Sequence, residues 1–189
     1  MSTRIPSNSD DKNKDVYVKP KLRRRVKKAI STDNLDKLKH LIKILPENWW
    51  RMKVDPGHAL LHEAIFQNSK KIFHYILPFH DLEDLETKNC FKMTALKFCM
   101  TTSHEYYAYE LINQGASIDG LYTNGQNLLH RAVSVSVTMT KRLLDRGIAV
   151  NVQDKNGYTP LRKVVINGLD RQDPEYVPML SSCGAKQFV

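Results

Sequence analysis

An internal repeat constrains this chain more than any other feature. Four segments align: GHALLHEA at 57–64, KMTALKFC at 92–99, GQNLLHRA at 125–132 and GYTPLRKV at 157–164. Their central leucines, Leu61, Leu96, Leu129 and Leu161, are 35, 33 and 32 residues apart. Each segment is followed by a second apolar stripe, and most by a glycine-containing end such as Leu111-Ile-Asn-Gln-Gly115-Ala116 or Leu143-Leu-Asp-Arg-Gly147-Ile148. A unit of this length cannot bury its apolar face alone, so neighbours must stack. The expected fold class is all-α, a solenoid of about four helix pairs behind an N-terminal helical cap, and not a single globular core.

The residues inside the unit agree with this reading. Gly57, Gly125 and Gly157 stand where a tight turn needs positive φ, with Lys92 in that place in the second unit. Thr94 and Thr159 can cap the helix that follows, and Pro160 suits its first position. Ala64, Cys99, Ala132 and Val164 are small, as close packing of stacked helices requires. The expected organisation is a flexible polar tail over 1–18, a basic capping helix pair over 19–45, and repeats over 46–189, about 54–86, 87–121, 122–153 and 154–189. In the cap, Leu35, Leu38, Leu41, Ile42 and Leu45 share one helix face, opened by Ser31-Thr-Asp-Asn and closed by Pro46. The last repeat has about four extra residues between its helices, and Pro178 is expected to distort the second of them.

Charge is unevenly spread. Residues 1–30 hold ten Lys and Arg against three Asp, and residues 31–189 hold nineteen against seventeen acidic residues. The basic stretch Lys19, Lys21, Arg23, Arg24, Arg25, Lys27 and Lys28 reads as an import or anion-binding segment, or as the solvated face of the first helix, since Leu22, Val26, Ala29 and Ile30 recur at helical spacing. No zinc-finger spacing or ribonucleoprotein aromatic motif accompanies it, so nucleic acid is not the expected partner. No apolar run reaches the ~20 residues that span a bilayer. With three scattered cysteines and no apolar leader, a cytoplasmic or nuclear, reducing location is expected.

Chemistry has weak support in the residues. His58 and His62 are four apart, but His58 belongs to the turn. Cys99 fills the small-residue position and reads as a buried thiol, and Cys90 sits on a turn. There is no phosphate-binding loop, dinucleotide fingerprint or nucleophile elbow. No catalytic residue, metal or cofactor is expected. Trp49 and Trp50 are adjacent, so either both seal the cap or at least one is accessible to a partner.

The units Asp154-Lys-Asn-Gly157-Tyr-Thr-Pro-Leu161 and Asn124-Gly125-Gln-Asn-Leu-Leu-His130-Arg-Ala132 resemble the ankyrin repeat, a β-turn followed by two antiparallel helices. The resemblance covers about residues 22–189. It implies that His62 and His130 bond to turn backbone, and that a concave face of turn tips and first helices binds a protein. Carried over position by position, that face holds Asp55 and His58, then Phe91 and Met93, then Asn124 and Gln126, then Lys155, Asn156 and Tyr158. Phe91, Met93 and Tyr158 stand out as large groups at turn tips, unless Phe91 or Met93 folds back over its own turn. The size and build are also similar to small stand-alone inhibitor-of-NF-κB-like ankyrin proteins, viral ones included. That resemblance implies a chain that occupies a Rel-type transcription factor; when alone the chain is expected to be monomeric. No Asp-Ser-Gly degradation motif is present. An adaptor, an activating subunit of a kinase or cell-cycle complex, and a nuclear regulator using 19–28 are the other expectations.

Overall fold

In a computed structural model of the chain, residues 16–55 and 57–186 are described. The chain forms two compact units that divide between His80 and Asp81. It is mostly helical, with one short two-stranded pairing among the described residues.

The first unit starts with α1 (Pro20–Ser31) and α2 (Leu35–Ile42). Val26, Ala29 and Ile30 form the buried side of α1, with Pro20 at its start. Asn34 caps α2, its Oδ1 accepting the Lys37 N–H at 2.9 Å. The helix ends at Ile42, before the expected stop at Pro46. Val16 and Val18 are buried, so packing begins inside the span expected as tail; residues 1–15 of that span lie outside the described residues. A hairpin of β1 (Lys53–Asp55) and β2 (His58–Ala59), paired Lys53 to Ala59, leads into α3 (Leu60–Phe66) and α4 (Lys70–Ile76).

Two polar links join cap to repeat in this unit. The Asp33 carboxylate accepts the N–H groups of Lys71 at 3.2 Å and Ile72 at 3.0 Å, so it closes the first turn of α4. The buried Ser69 hydroxyl donates to the Ile30 carbonyl at 2.5 Å.

The second unit opens with α5 (Leu82–Leu85), a single turn in a capping box between Asp81 and Asp84. Three helix pairs follow: α6 (Ala95–Thr102) with α7 (Glu105–Asn113), α8 (Leu128–Ala132) with α9 (Val137–Asp145), and α10 (Pro160–Ile166) with α12 (Tyr176–Ser182). The first helices stack in series, α6 on α8 and α8 on α10, and α12 also packs on α9. Leu96, Leu129 and Leu161 are all buried along this stack. Thr94 and Thr159 cap α6 and α10 as expected, at 3.4 and 3.2 Å.

The last pair departs from expectation. The extra residues form a separate short helix, α11 (Leu169–Gln172), entered through Gly168 at φ +67°. Because α12 starts at Tyr176, Pro178 falls in its first turn, where a backbone N–H has no intrahelical acceptor anyway. Pro178 is therefore accommodated, and the expected distortion is absent.

Candidate partner-binding face

The second unit carries three turns with one hydrogen-bond plan. Asn89, Tyr122 and Asp154 each donate their N–H to the carbonyl four residues on, Met93, Gln126 and Tyr158, at 2.9, 2.7 and 3.0 Å. The residue third in line, Lys92, Gly125 or Gly157, donates back at 2.9 Å and has φ +58°, +79° or +74°. Side chains pin all three turns further, most lightly the third, where Asn124 Oδ1 accepts the Gln126 N–H at 3.3 Å. Asn89 Oδ1 accepts from Phe91 and Met93 at 3.0 and 3.1 Å. Asp154 Oδ1 accepts from Asn156 and Tyr158 at 2.9 and 3.0 Å, and its Oδ2 takes the Gln126 amide at 3.2 Å. Burial works to raise the Asp154 pKa, but these donors and nearby His130 outweigh it and hold the carboxyl below its ordinary value. Asn89 and Asp154 were not singled out by sequence, although an Asx residue two before a tip is a known turn signal.

Adjacent repeats are tied through the turns. His130 Nε2 donates to the Tyr158 carbonyl at 2.8 Å, while its Nδ1 accepts the Asn127 N–H at 3.2 Å. The residue thus bonds to turn backbone, as the resemblance implied. Burial lowers its pKa against the raising pull of the Tyr158 carbonyl and Asp154, which favours the neutral ring. The Lys155 N–H donates to the Asn124 carbonyl at 3.0 Å, joining the tips of the third and fourth turns. A Cβ added at Gly125 would stand 3.1 Å from that Lys155 nitrogen.

The candidate residues fall into distinct settings. Phe91 is 64% exposed on the second tip, and Met93, half-buried beside it, has its sulfur 3.7 Å from the Thr101 hydroxyl, which donates to the Lys97 carbonyl at 3.0 Å. This contact sets the C-terminal end of a first helix beside the turn tip. Asn124, Lys155 and Asn156 are exposed; Tyr158 is half-buried with the Arg162 guanidinium 5.1 Å from its ring centre. Gln126 is only 7% exposed, because its amide is committed to Asp154 one repeat away, and it leaves the accessible set. His58 stands 3.5 Å from the buried Glu63 carboxylate and packs near Phe66, so its ring is turned to its own repeat. The Asp55 side chain lies outside the described residues. Ile166, 54% exposed at the end of α10, and Leu121, 56% exposed before the third turn, were missed by sequence, since helical periodicity counts an apolar residue as core.

Of the two tryptophans, Trp49 is 4% exposed, edge-on to Phe79 at 5.2 Å, and Trp50 is half-buried against the same ring at 5.9 Å. Trp49 therefore seals the first unit, and Trp50 alone retains accessible surface. In the basic stretch, Lys19, Lys21, Arg24, Arg25 and Lys28 are exposed; Arg23 and Lys27 are half-buried, with Lys27 Nζ 3.9 Å from Glu63. These cations border a packed helix and not a free arm. Cys99 is fully buried, which pushes its thiol up and keeps it protonated, and Cys90 and Cys183 are exposed.

Residues 111–164, from the end of α7 through α10, match the family model described as ankyrin repeats (many copies). The comparison with curated proteins returned no match. The matched stretch belongs to the ankyrin-repeat family, and the same turn and helix pair stand before it at 89–113. Ankyrin repeats are protein-interaction modules. No helix among the described residues is long and apolar enough to cross a membrane.

Proposed function

We propose that this chain acts by occupying a protein partner through its turn tips and first-helix ends, as an inhibitor, competitor or adaptor subunit without catalysis of its own. The observation that carries the reading is the rigid display of Phe91: a pinned turn holds a large apolar side chain in solvent beside Met93 and Thr101. Such a group makes an anchor at low entropic cost, because the turn is ordered before binding. The resemblance to inhibitor-of-NF-κB-like proteins makes a Rel-type transcription factor the first partner to test, in the cytoplasm or the nucleus, with a kinase complex next. The test measures binding of a Rel-type factor to the full chain and to Phe91→Ala with Tyr158→Ala. The double variant is expected to bind about tenfold or more weakly while melting like the parent. A double variant that binds its partner normally would refute this face.

The exposed cations of α1 support a second reading, import or anion binding. Since Val26 and Ile30 are buried on the same helix, deletion would also remove core. Charge reversal at Arg24, Arg25 and Lys28 is the cleaner test. Loss of nuclear entry in a cell-imaging assay is expected under this reading, and unchanged entry refutes it.

A further inference from the structure

Charge is sorted within the repeats of the second unit. Between 81 and 189 there are twelve Lys and Arg and twelve Asp and Glu, so this half carries no net charge. The turns and first helices, over 86–104, 121–133 and 153–167, nevertheless hold seven cations against two carboxylates, Glu86 and Asp154. The remaining ten carboxylates sit with five cations on α5, α7, α9 and α11 and in the segments that flank these helices and α12. Both carboxylates of the cationic segments are engaged by the chain itself. Glu86 accepts the Ser117 N–H at 2.9 Å, and Asp154 holds its own turn.

The cations are arranged, not merely numerous. Lys97 Nζ and the Arg131 guanidinium lie 5.7 and 5.5 Å from the centre of one ring, that of Tyr122. Lys97 Nζ donates to the Leu121 carbonyl at 3.1 Å, and the Tyr122 hydroxyl donates to the Lys97 carbonyl at 3.1 Å. Lys163 Nζ reaches the His130 carbonyl at 3.4 Å. Burial lowers the pKa of Lys97, and Lys88 lowers it further; burial and then Arg131 do the same to Lys163, while Glu86 and Asp154 pull the other way without reversing either shift. Like charges thus crowd one another, and an incoming carboxylate would relieve them. Phe91, Leu121 and Ile166 place exposed apolar surface in the same segments.

We infer that this face takes an acidic segment of a protein partner, its carboxylates on Lys97, Arg131 and Lys163 and its apolar side chains against Phe91 and Leu121. The inference rests on the proposed binding role and adds the chemistry of the partner. Fixed cations interleaved with apolar groups suit a peptide that carries both; a phosphate backbone would use the cations and leave the apolar groups wet.

The test uses the full chain and a fluorescent peptide of repeated Glu-Glu-Leu, with a Gln-Gln-Leu peptide and a single-stranded oligonucleotide as comparators. The acidic peptide is expected to bind at least about tenfold tighter than the neutral one, and to weaken steeply between about 0.05 and about 0.5 M salt. Lys97→Glu with Arg131→Glu should weaken it about tenfold or more, and Lys97→Gln with Arg131→Gln about threefold, with circular dichroism confirming that each variant is folded at the assay temperature. Reversal of Lys141 and Arg171, exposed on α9 and α11, or of Arg24 and Arg25 in α1, should change it less than about twofold. Equal binding of both peptides, an equal loss from either control pair, or preference for the oligonucleotide would overturn the inference. Phe91→Ala with Tyr158→Ala separates the two claims. If that pair weakens partner binding while the charge reversals do not, the face stands and the acidic partner falls; the converse removes the tips and keeps the cations.

Discussion

At the second turn Asn89 gathers two backbone N–H groups, and at the fourth Asp154 gathers two from the same positions. The backbone then turns through Lys92 in one case and Gly157 in the other, both with positive φ. The two turns reach one geometry from different residues. A neutral amide with a strained lysine does what a carboxylate with an unstrained glycine does, because the hydrogen bonds around the tip outweigh the cost of a left-handed side-chain residue, about 1–2 kcal/mol. The fourth turn is also tied to the preceding repeat, through Gln126, His130 and the Asn124 carbonyl, so it is a joint between repeats as well as a tip.

Substitutions in the turns and beneath them probe that contrast. Leu129→Ala, under the third turn and fully buried between the other two, should cost about 2–5 kcal/mol in chemical denaturation. A smaller loss would mean that the turns stand without the stack. Asp154→Ala should cost about 2–3 kcal/mol, against about 1–2 for Asn89→Ala, because hydrogen bonds to a charged group are the stronger ones. The same carboxyl sets a pH dependence. Its folded pKa lies below the unfolded value of about 3.9, so its contribution is present above that pH and is lost as pH falls through the folded value. Asp154→Asn should flatten that acid limb of a stability-versus-pH curve, and Asn89→Asp is a control for the site.

Gly125→Ala should be worse than Gly157→Ala, by about 1 kcal/mol, since both strain φ but only the first meets a neighbouring turn. Equal melting temperatures would break the picture of turns tied tip to tip. The smallest effect is expected from Lys92→Gly, a gain of about 0.5 kcal/mol, as relief of strain is partly offset by a more flexible unfolded chain. Its failure to stabilise would show that Lys92 is held there by more than its backbone.

What the sequence made legible was local. Thr94, Thr159 and Pro160 announce helix starts because a cap is read within four residues, and the 32- to 35-residue spacing of the leucines announces the stack. What it left hidden depends on partners far along the chain. Gln126 reads as a tip residue until Asp154, 28 residues on, takes its amide. Asp33 reads as one of several caps for α2, whereas it serves α4, 39 residues on. Pro178 reads as a defect until the start of α12 is known. Trp49 is inside because Phe79 covers it, a contact that no periodicity reports. Phe91 and Met93 were legible as turn-tip residues, and the sorting of cations onto the turns and first helices was not, because the charges balance when summed over the whole unit.

The Asp33 clasp has a consequence for how the protein is made. A chain leaving the ribosome exposes α1 and α2 well before the Ile72 and Lys71 amides that this carboxylate needs. The clasp can therefore close only once the start of α4 has been translated.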